Sequence, residues 1–201
     1  METVRFRPLF GRVLAVIVCV IAVLGVAGFF IAGDLAGAAR YAWPVLLVGV
    51  LAWALYLRPE LIIEEHGITV VNVFRTYFVP WPAIQHIETR FAVTLHTSDG
   101  KVSVWASPAP GRHGATRVTR SDFTGISGSA YGKAGSLRPG DALTTESGAA
   151  AHILRLHWEK LRDAGMFEHG VEPGSVRVTW HSATIAAMIA LLVASLVGLL
   201  L

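Results

Sequence analysis

Three stretches of this chain run without a charged residue for long enough to cross a lipid bilayer: Val13 to Ala32, Tyr41 to Leu57 and Ser182 to Leu201. At about 1.5 Å of rise per residue, about 17 to 25 apolar residues span a hydrocarbon core about 30 Å thick. Tyr41 and Trp43 at one end of the second stretch, and Trp53 and Tyr56 at the other, are the aromatic anchors expected at a membrane interface, as are Trp180 and His181 before the third. The competing reading is buried core helices. A chain of 201 residues with 53% hydrophobic and 15% charged residues has too little polar sequence to wrap three such helices. A cleaved signal peptide is rejected for the first stretch, because its apolar region exceeds about 15 residues and a second span follows at once.

Basic residues flanking the spans set the expected orientation. Arg5, Arg7 and Arg12 precede the first span against Glu2, and Arg58 follows the second, whereas the intervening loop has Arg40 opposed by Asp34. The amino terminus and the central region are therefore expected on the cytoplasmic side of the membrane. Three crossings then leave Leu201 on the outer face. Cys19 is the single cysteine and lies in mid-span, so no disulfide or cysteine metal site forms within one chain.

Between the second and third spans the hydrophobic period changes. Glu60 to Glu65 and Ile68 to Phe74 read as strands around His66-Gly67, where a positive φ at glycine would serve a tight hairpin. Phe91, Val93 and Leu95 alternate with Ala92, Thr94 and His96, and Val102 and Val104 alternate with Ser103 and Trp105, across the turn signal Ser98-Asp99-Gly100. Tyr77 to Trp81 and Ile84 to Arg90 are short strands interrupted by Pro80 and Pro82, which cannot donate ladder hydrogen bonds and so mark an edge or a corner.

From Gly111 the composition turns to glycine and serine without sustained periodicity, which predicts a mobile basic loop over 111–146. Ala150, Ile153, Leu154, His157, Trp158, Leu161 and Ala164 then share one helical stripe, opposite Arg155, Glu159, Lys160, Arg162 and Asp163. This predicts an amphipathic helix over 147–165, with Ser147 capping its start and Gly165 its end.

Arg58-Pro59, Glu65-His66-Gly67, Val79-Pro80-Trp81 with Ile84, Asp99-Gly100, and Trp105 with Pro108 together resemble actinobacterial membrane proteins carrying a bacterial pleckstrin-homology (PH) domain. The resemblance implies an α+β membrane protein in which a small antiparallel PH-like β-domain with a carboxy-terminal helix sits between spans two and three. It also implies a binding or assembly module rather than a catalyst. The expected organisation is 1–57 for the amino-terminal arm and transmembrane hairpin (13–32 and 41–57), 58–165 for the PH-like domain, and 166–201 for a connector and third span (182–201). PH domains that bind phosphoinositides typically place basic residues after the first strand. Here that position reads Glu64-Glu65-His66-Gly67, and two carboxylates there repel phosphate.

Catalytic and cofactor patterns are missing. Gly132-Lys133 lacks the glycine five residues earlier and the following Ser or Thr of a phosphate loop, since Ser127 and Ala134 stand there. The eight histidines form no HExxH, and His152 and His157 point to different sides of a helix, so no metal is expected. No serine lies in GxSxG, and adjacent Glu64 and Glu65 face opposite sides of a strand. The expectation is no enzyme, no cofactor and no small-molecule substrate. Trp81, Trp105 and Trp158 are candidates for the domain core or for partner contacts.

Between Gly111 and Arg138 lie Arg112, Arg117, Arg120, Lys133 and Arg138 against Asp122 alone, while the preceding strands are acidic. These residues are candidate contacts for anionic headgroups; nucleic acid is disfavoured because only Phe123 and Tyr131 interleave them. Ala186, Ala190, Ala194 and Gly198 recur every fourth residue in the last span as a candidate packing stripe. The leading expectation is protein association or assembly at the membrane, with a protein partner or a second copy, for example as an accessory subunit of a larger complex. The alternative is an anionic-lipid sensor acting through residues 111–138.

Overall fold

The computed structural model describes residues 3–132, 135–167 and 174–200. Glu2, Lys133, the connector from Glu168 and the terminal Leu201 lie wholly or partly outside the described residues. The chain forms two compact units. One comprises the residues up to Arg7, Glu60–Asn72 and Thr76–Thr179; the other comprises Pro8–Pro59, Val73–Arg75 and the residues from Trp180.

The first unit holds two antiparallel sheets. Strands β1 (Val4–Phe6), β2 (Glu60–Glu64), β3 (Gly67–Val71), β4 (Arg75–Pro80) and β8 (Arg177–Trp180) pair in the order β1-β2-β3-β4-β8. Strands β5 (Ile84–Glu88), β6 (Ala92–Thr97) and β7 (Gly100–Pro108) make the second sheet. Register lines the inner side chains into rows: Val4, Ile63, Ile68 and Val79 face one another across four strands, and Ile87, Leu95 and Val102 across three. Apolar cross-strand neighbours of this kind are what hold a sheet in one register. The chain passes between the sheets at Pro80 and the single 3-10 turn Trp81–Ala83, the corner that the two prolines indicate.

The two hairpins differ in how they use glycine. Glu64 pairs with Gly67 around Glu65-His66, but Gly67 is not among the glycines with positive φ. What demands glycine there is space: a Cβ would lie 2.7 Å from the Val79 carbonyl oxygen and 3.1 Å from Pro80 Cα. Gly100, by contrast, has φ of 126° and closes the β6–β7 turn against Thr97.

Helix α4 (Glu146–Asp163) covers the core, burying Ala150, Ala151 and Leu154 against residues such as Leu61, Val70 and Leu95. Thr145, not Ser147, is its amino-terminal cap: the Thr145 hydroxyl accepts the Gly148 N–H at 3.0 Å, while the buried Ser147 hydroxyl donates to the Gly140 carbonyl at 2.9 Å. Gly165, with φ of 73°, follows the helix end as expected.

The segment read as a mobile loop contains the short helix α3 (Arg112–Ala115) and 3-10 turns at Arg120–Phe123, Gly128–Ala130 and Pro139–Asp141. Among the described residues several side-chain tethers hold it. Glu159 accepts from the Ser127 hydroxyl and from the Ser129 N–H, Arg138 pairs with Glu88, and Asp141 is buried against Thr89 and Arg155. Arg155 was placed on the polar face by helical periodicity. It is instead 4% exposed, pairing with Asp141 at 2.8 Å and donating to the Ile87 carbonyl. A buried guanidinium is tolerable where a carboxylate and a carbonyl meet it.

The second unit contains three helices long and apolar enough to cross a membrane. These are α1 (Leu9–Ile31), α2 (Leu35–Ala52, continued by a π-helical turn Trp53–Leu57) and α5 (Ser182–Leu200). Only Gly198 of the small-residue stripe is buried: a Cβ there would lie 3.0 Å from the Ala39 and Arg40 carbonyl oxygens of α2. Ala186 and Ala190 are exposed and Ala194 is half-buried. The buried face of α5 is Met188, Ser195 and Gly198, so the seam follows a period of three to four rather than a strict four.

Candidate functional site

Strand β7 alternates buried Val102, Val104 and Ala106 with exposed Lys101, Ser103 and Trp105. Its backbone is fixed from outside its own sheet. The Asn72 amide donates to the Ser103 carbonyl at 2.8 Å and accepts the Trp105 N–H at 3.1 Å, so one side chain stands in for a strand partner. The Trp105 indole remains 51% exposed on a rigid strand.

The other two tryptophans belong to the core. Trp81 is 2% exposed, donates Nε1–H to the Glu64 carbonyl at 2.9 Å, and lies against the His157 ring with centroids 4.6 Å apart. Burial holds the His157 imidazole below its ordinary pKa, aided by Lys160. Trp158 donates to the Ile84 carbonyl at 3.0 Å, under the Arg162 guanidinium and beside Phe167. Of the three candidates only Trp105 presents a large apolar surface outward.

The β2–β3 turn offers Glu65 and His66 at its exposed tip and no basic residue. Arg5 and Arg7 both pair with Glu60, at 3.6 and 2.7 Å. Within the segment 111–138, Arg112, Arg117 and Arg120 are exposed, whereas Arg138 is engaged by Glu88. Glu88 also meets His96 Nε2 at 2.9 Å, and the His96 and Arg138 hydrogen bonds together hold its carboxyl below the usual range. Lys133 is outside the described residues, so the exposed basic residues described in this segment are Arg112, Arg117 and Arg120.

A cleft of about 550 Å³ opens between β5 and the 130–141 segment, lined by His86, Glu88, Tyr131, Arg138, Asp141 and Arg155 among others. Both of its arginines face carboxylates, which leaves it near neutral. Among the described residues no group of three or more His, Cys, Asp or Glu is placed to hold a metal ion. Sequence reasoning missed the Asn72 bridge and the Asp141–Arg155 pair, since neither lies in a motif. Asp99 was read only as part of a turn; it also accepts the Gly174 and Val176 N–H groups at 2.7 and 3.0 Å, which anchors the approach to β8.

No curated protein matches this chain, and no solved structure does. The match is to a family model, and it begins at Arg58 at the end of the second apolar helix and runs through β2 to β7 into the following segment. Over residues 58–125 the chain carries a bacterial PH domain.

Proposed function

We propose that this chain is a non-enzymatic membrane protein whose PH domain faces the cytoplasm and associates there with a protein partner or a second copy, through the Trp105 face of β7. PH domains are interaction modules for proteins or lipids, and the observation that favours protein is the exposed Trp105 indole on a strand braced by Asn72. A large aromatic on a rigid, mixed surface is the kind of residue that dominates protein interfaces. The acidic β2–β3 tip, with Glu65 exposed, weighs against a phosphorylated headgroup at that turn. The excess of Arg5, Arg7, Arg12 and Arg58 over the single Arg40 of the α1–α2 loop region supports the cytoplasmic orientation.

The test is site-specific photocrosslinking from position 105 of the full chain in its native membrane. A discrete adduct with one protein or with a second copy is the expected result. Crosslinks to lipid alone, or none, would overturn the reading and return attention to Arg112, Arg117 and Arg120.

A further inference from the structure

One end of the three-helix unit collects positive charge that no side chain of that unit neutralises. Gly11 near the start of α1 lies against Tyr56 near the end of the second helix, so α1 begins where α2 ends. Helix α5 runs antiparallel to α2, because Gly198 approaches Ala39 and Arg40 at one end while Thr184 accepts a hydrogen bond from Arg58 at the other. Arg12, Arg58 and Arg75 therefore gather at the same end as Trp53 and Trp180.

Each of two arginines there is stacked on a tryptophan. The Arg58 guanidinium lies 5.3 Å from the Trp53 ring centroid and that of Arg75 lies 4.0 Å from the Trp180 centroid. The Arg12 Nε is buried without a hydrogen-bond partner. The sole carboxylate in the sequence of this unit is Asp34, in the loop at the opposite end, where it accepts the Gly37 N–H at 2.7 Å. Arg58 is only half-exposed, and burial without a nearby carboxylate pushes its pKa down. A partly desolvated Arg58 and an exposed Arg75, with no carboxylate side chain at their end of the unit, make a site for an external anion.

The tryptophans set the depth of that anion. Interfacial Trp lies at the level of the phospholipid headgroups, and a guanidinium offers a planar set of donors suited to phosphate oxygens. We propose that Arg58 and Arg75 bind the phosphate of an anionic phospholipid headgroup, with Trp53 and Trp180 orienting the two guanidinium groups. The site shares no residue with the Trp105 face or with the basic segment 111–138.

The experiment uses the purified, delipidated full chain in detergent, titrated with phosphatidylglycerol, phosphatidylcholine or inorganic phosphate and read by native mass spectrometry. A single phosphatidylglycerol adduct is expected, in preference to phosphatidylcholine. Its affinity should fall about thirtyfold in the Arg58→Gln/Arg75→Gln variant, two basic residues each contributing near a charged headgroup. Arg58→Lys/Arg75→Lys should keep most of the binding, which separates lost charge from lost folding. The Arg112→Gln/Arg117→Gln/Arg120→Gln variant should bind normally. An adduct that survives Arg58→Gln/Arg75→Gln, or one lost only on changing the 112–120 arginines, overturns the site. Displacement of the lipid by equimolar inorganic phosphate overturns the headgroup as the source of the anion.

Discussion

The side-chain carbonyl of Asn72 accepts the backbone N–H of Trp105 at 3.1 Å, across 33 residues of sequence, and the amide of the same side chain donates to Ser103. One residue thereby joins the end of β3 to the middle of β7. Asn72→Ala removes both bonds and should cost about 1 kcal/mol in urea unfolding of the detergent-solubilised chain. Asn72→Asp keeps the acceptor for Trp105 but sets a carboxylate oxygen against the Ser103 carbonyl, so it should be the more damaging of the two. An Asn72→Asp variant as stable as the unaltered chain would mean that the donor half of the bridge contributes nothing.

Trp105→Ala should leave stability within about 1 kcal/mol, because the indole is half outside the fold and its backbone bond is retained. Loss of partner association with an unchanged melting curve is the expected pattern. A large drop in melting temperature would instead make Trp105 a structural residue.

The Asp141–Arg155 pair behaves as a unit. Its side chains are 3% and 5% exposed, and removing one partner leaves a buried charge unpaired. Asp141→Ala and Arg155→Met should each destabilise the domain by about 3–5 kcal/mol, whereas the apolar double variant Asp141→Leu/Arg155→Met should recover most of the loss. Thermal unfolding followed by near-ultraviolet dichroism measures this, and additive losses in the double variant would contradict the coupling.

Acid should weaken the first unit in two stages. The His157 pKa is depressed by burial from the ordinary 6.5, so below that pH the unfolded chain takes up a proton that the folded one resists. Stability then falls as pH drops from about 6.5 toward the folded value. Glu88, depressed from 4.5 by its hydrogen bonds to His96 and Arg138, contributes stability that is present above 4.5 and is lost as pH falls through its folded value. His157→Phe should lessen the first stage and leave the part due to His86, whose pKa burial also lowers, in melting temperatures measured from pH 7.5 to 5.

Substitutions along α5 should sort by the seam rather than by residue size. Gly198→Leu, which would place a side chain where the α2 carbonyls already approach, should cost about 1–3 kcal/mol. Ala190→Leu, on an exposed face, should be silent in the same detergent melting assay.

What the residues disclose follows the range of the interactions involved. Apolar runs and alternation depend on neighbours in sequence, so the three spans, the strands from β2 to β7 and α4 are readable from the chain alone. Gly67 was correctly singled out but for the wrong reason, because the approach of Val79 and Pro80 is a tertiary fact. Arg155 looked solvated because helical periodicity cannot see a carboxylate arriving from residue 141. Thr145 took the cap from Ser147 because Ser147 had a buried carbonyl to satisfy. The Trp105 face was half legible: a tryptophan is visible in sequence, but whether it is buried like Trp81 or presented outward depends on what covers it.

The shortest elements carry a consequence for biosynthesis. Strand β1 is made first and finds β2 only after both helices of the hairpin have been synthesised, and β8 reaches β4 about a hundred residues after β4 itself is made. The five-stranded sheet thus lacks its β8 edge during most of translation, and its last hydrogen bonds form when residues 177–180 emerge. A ribosome that stalls before that point leaves a domain in which β1 to β4 can assemble but the β4 edge is bare, the state in which an edge-binding chaperone would be needed.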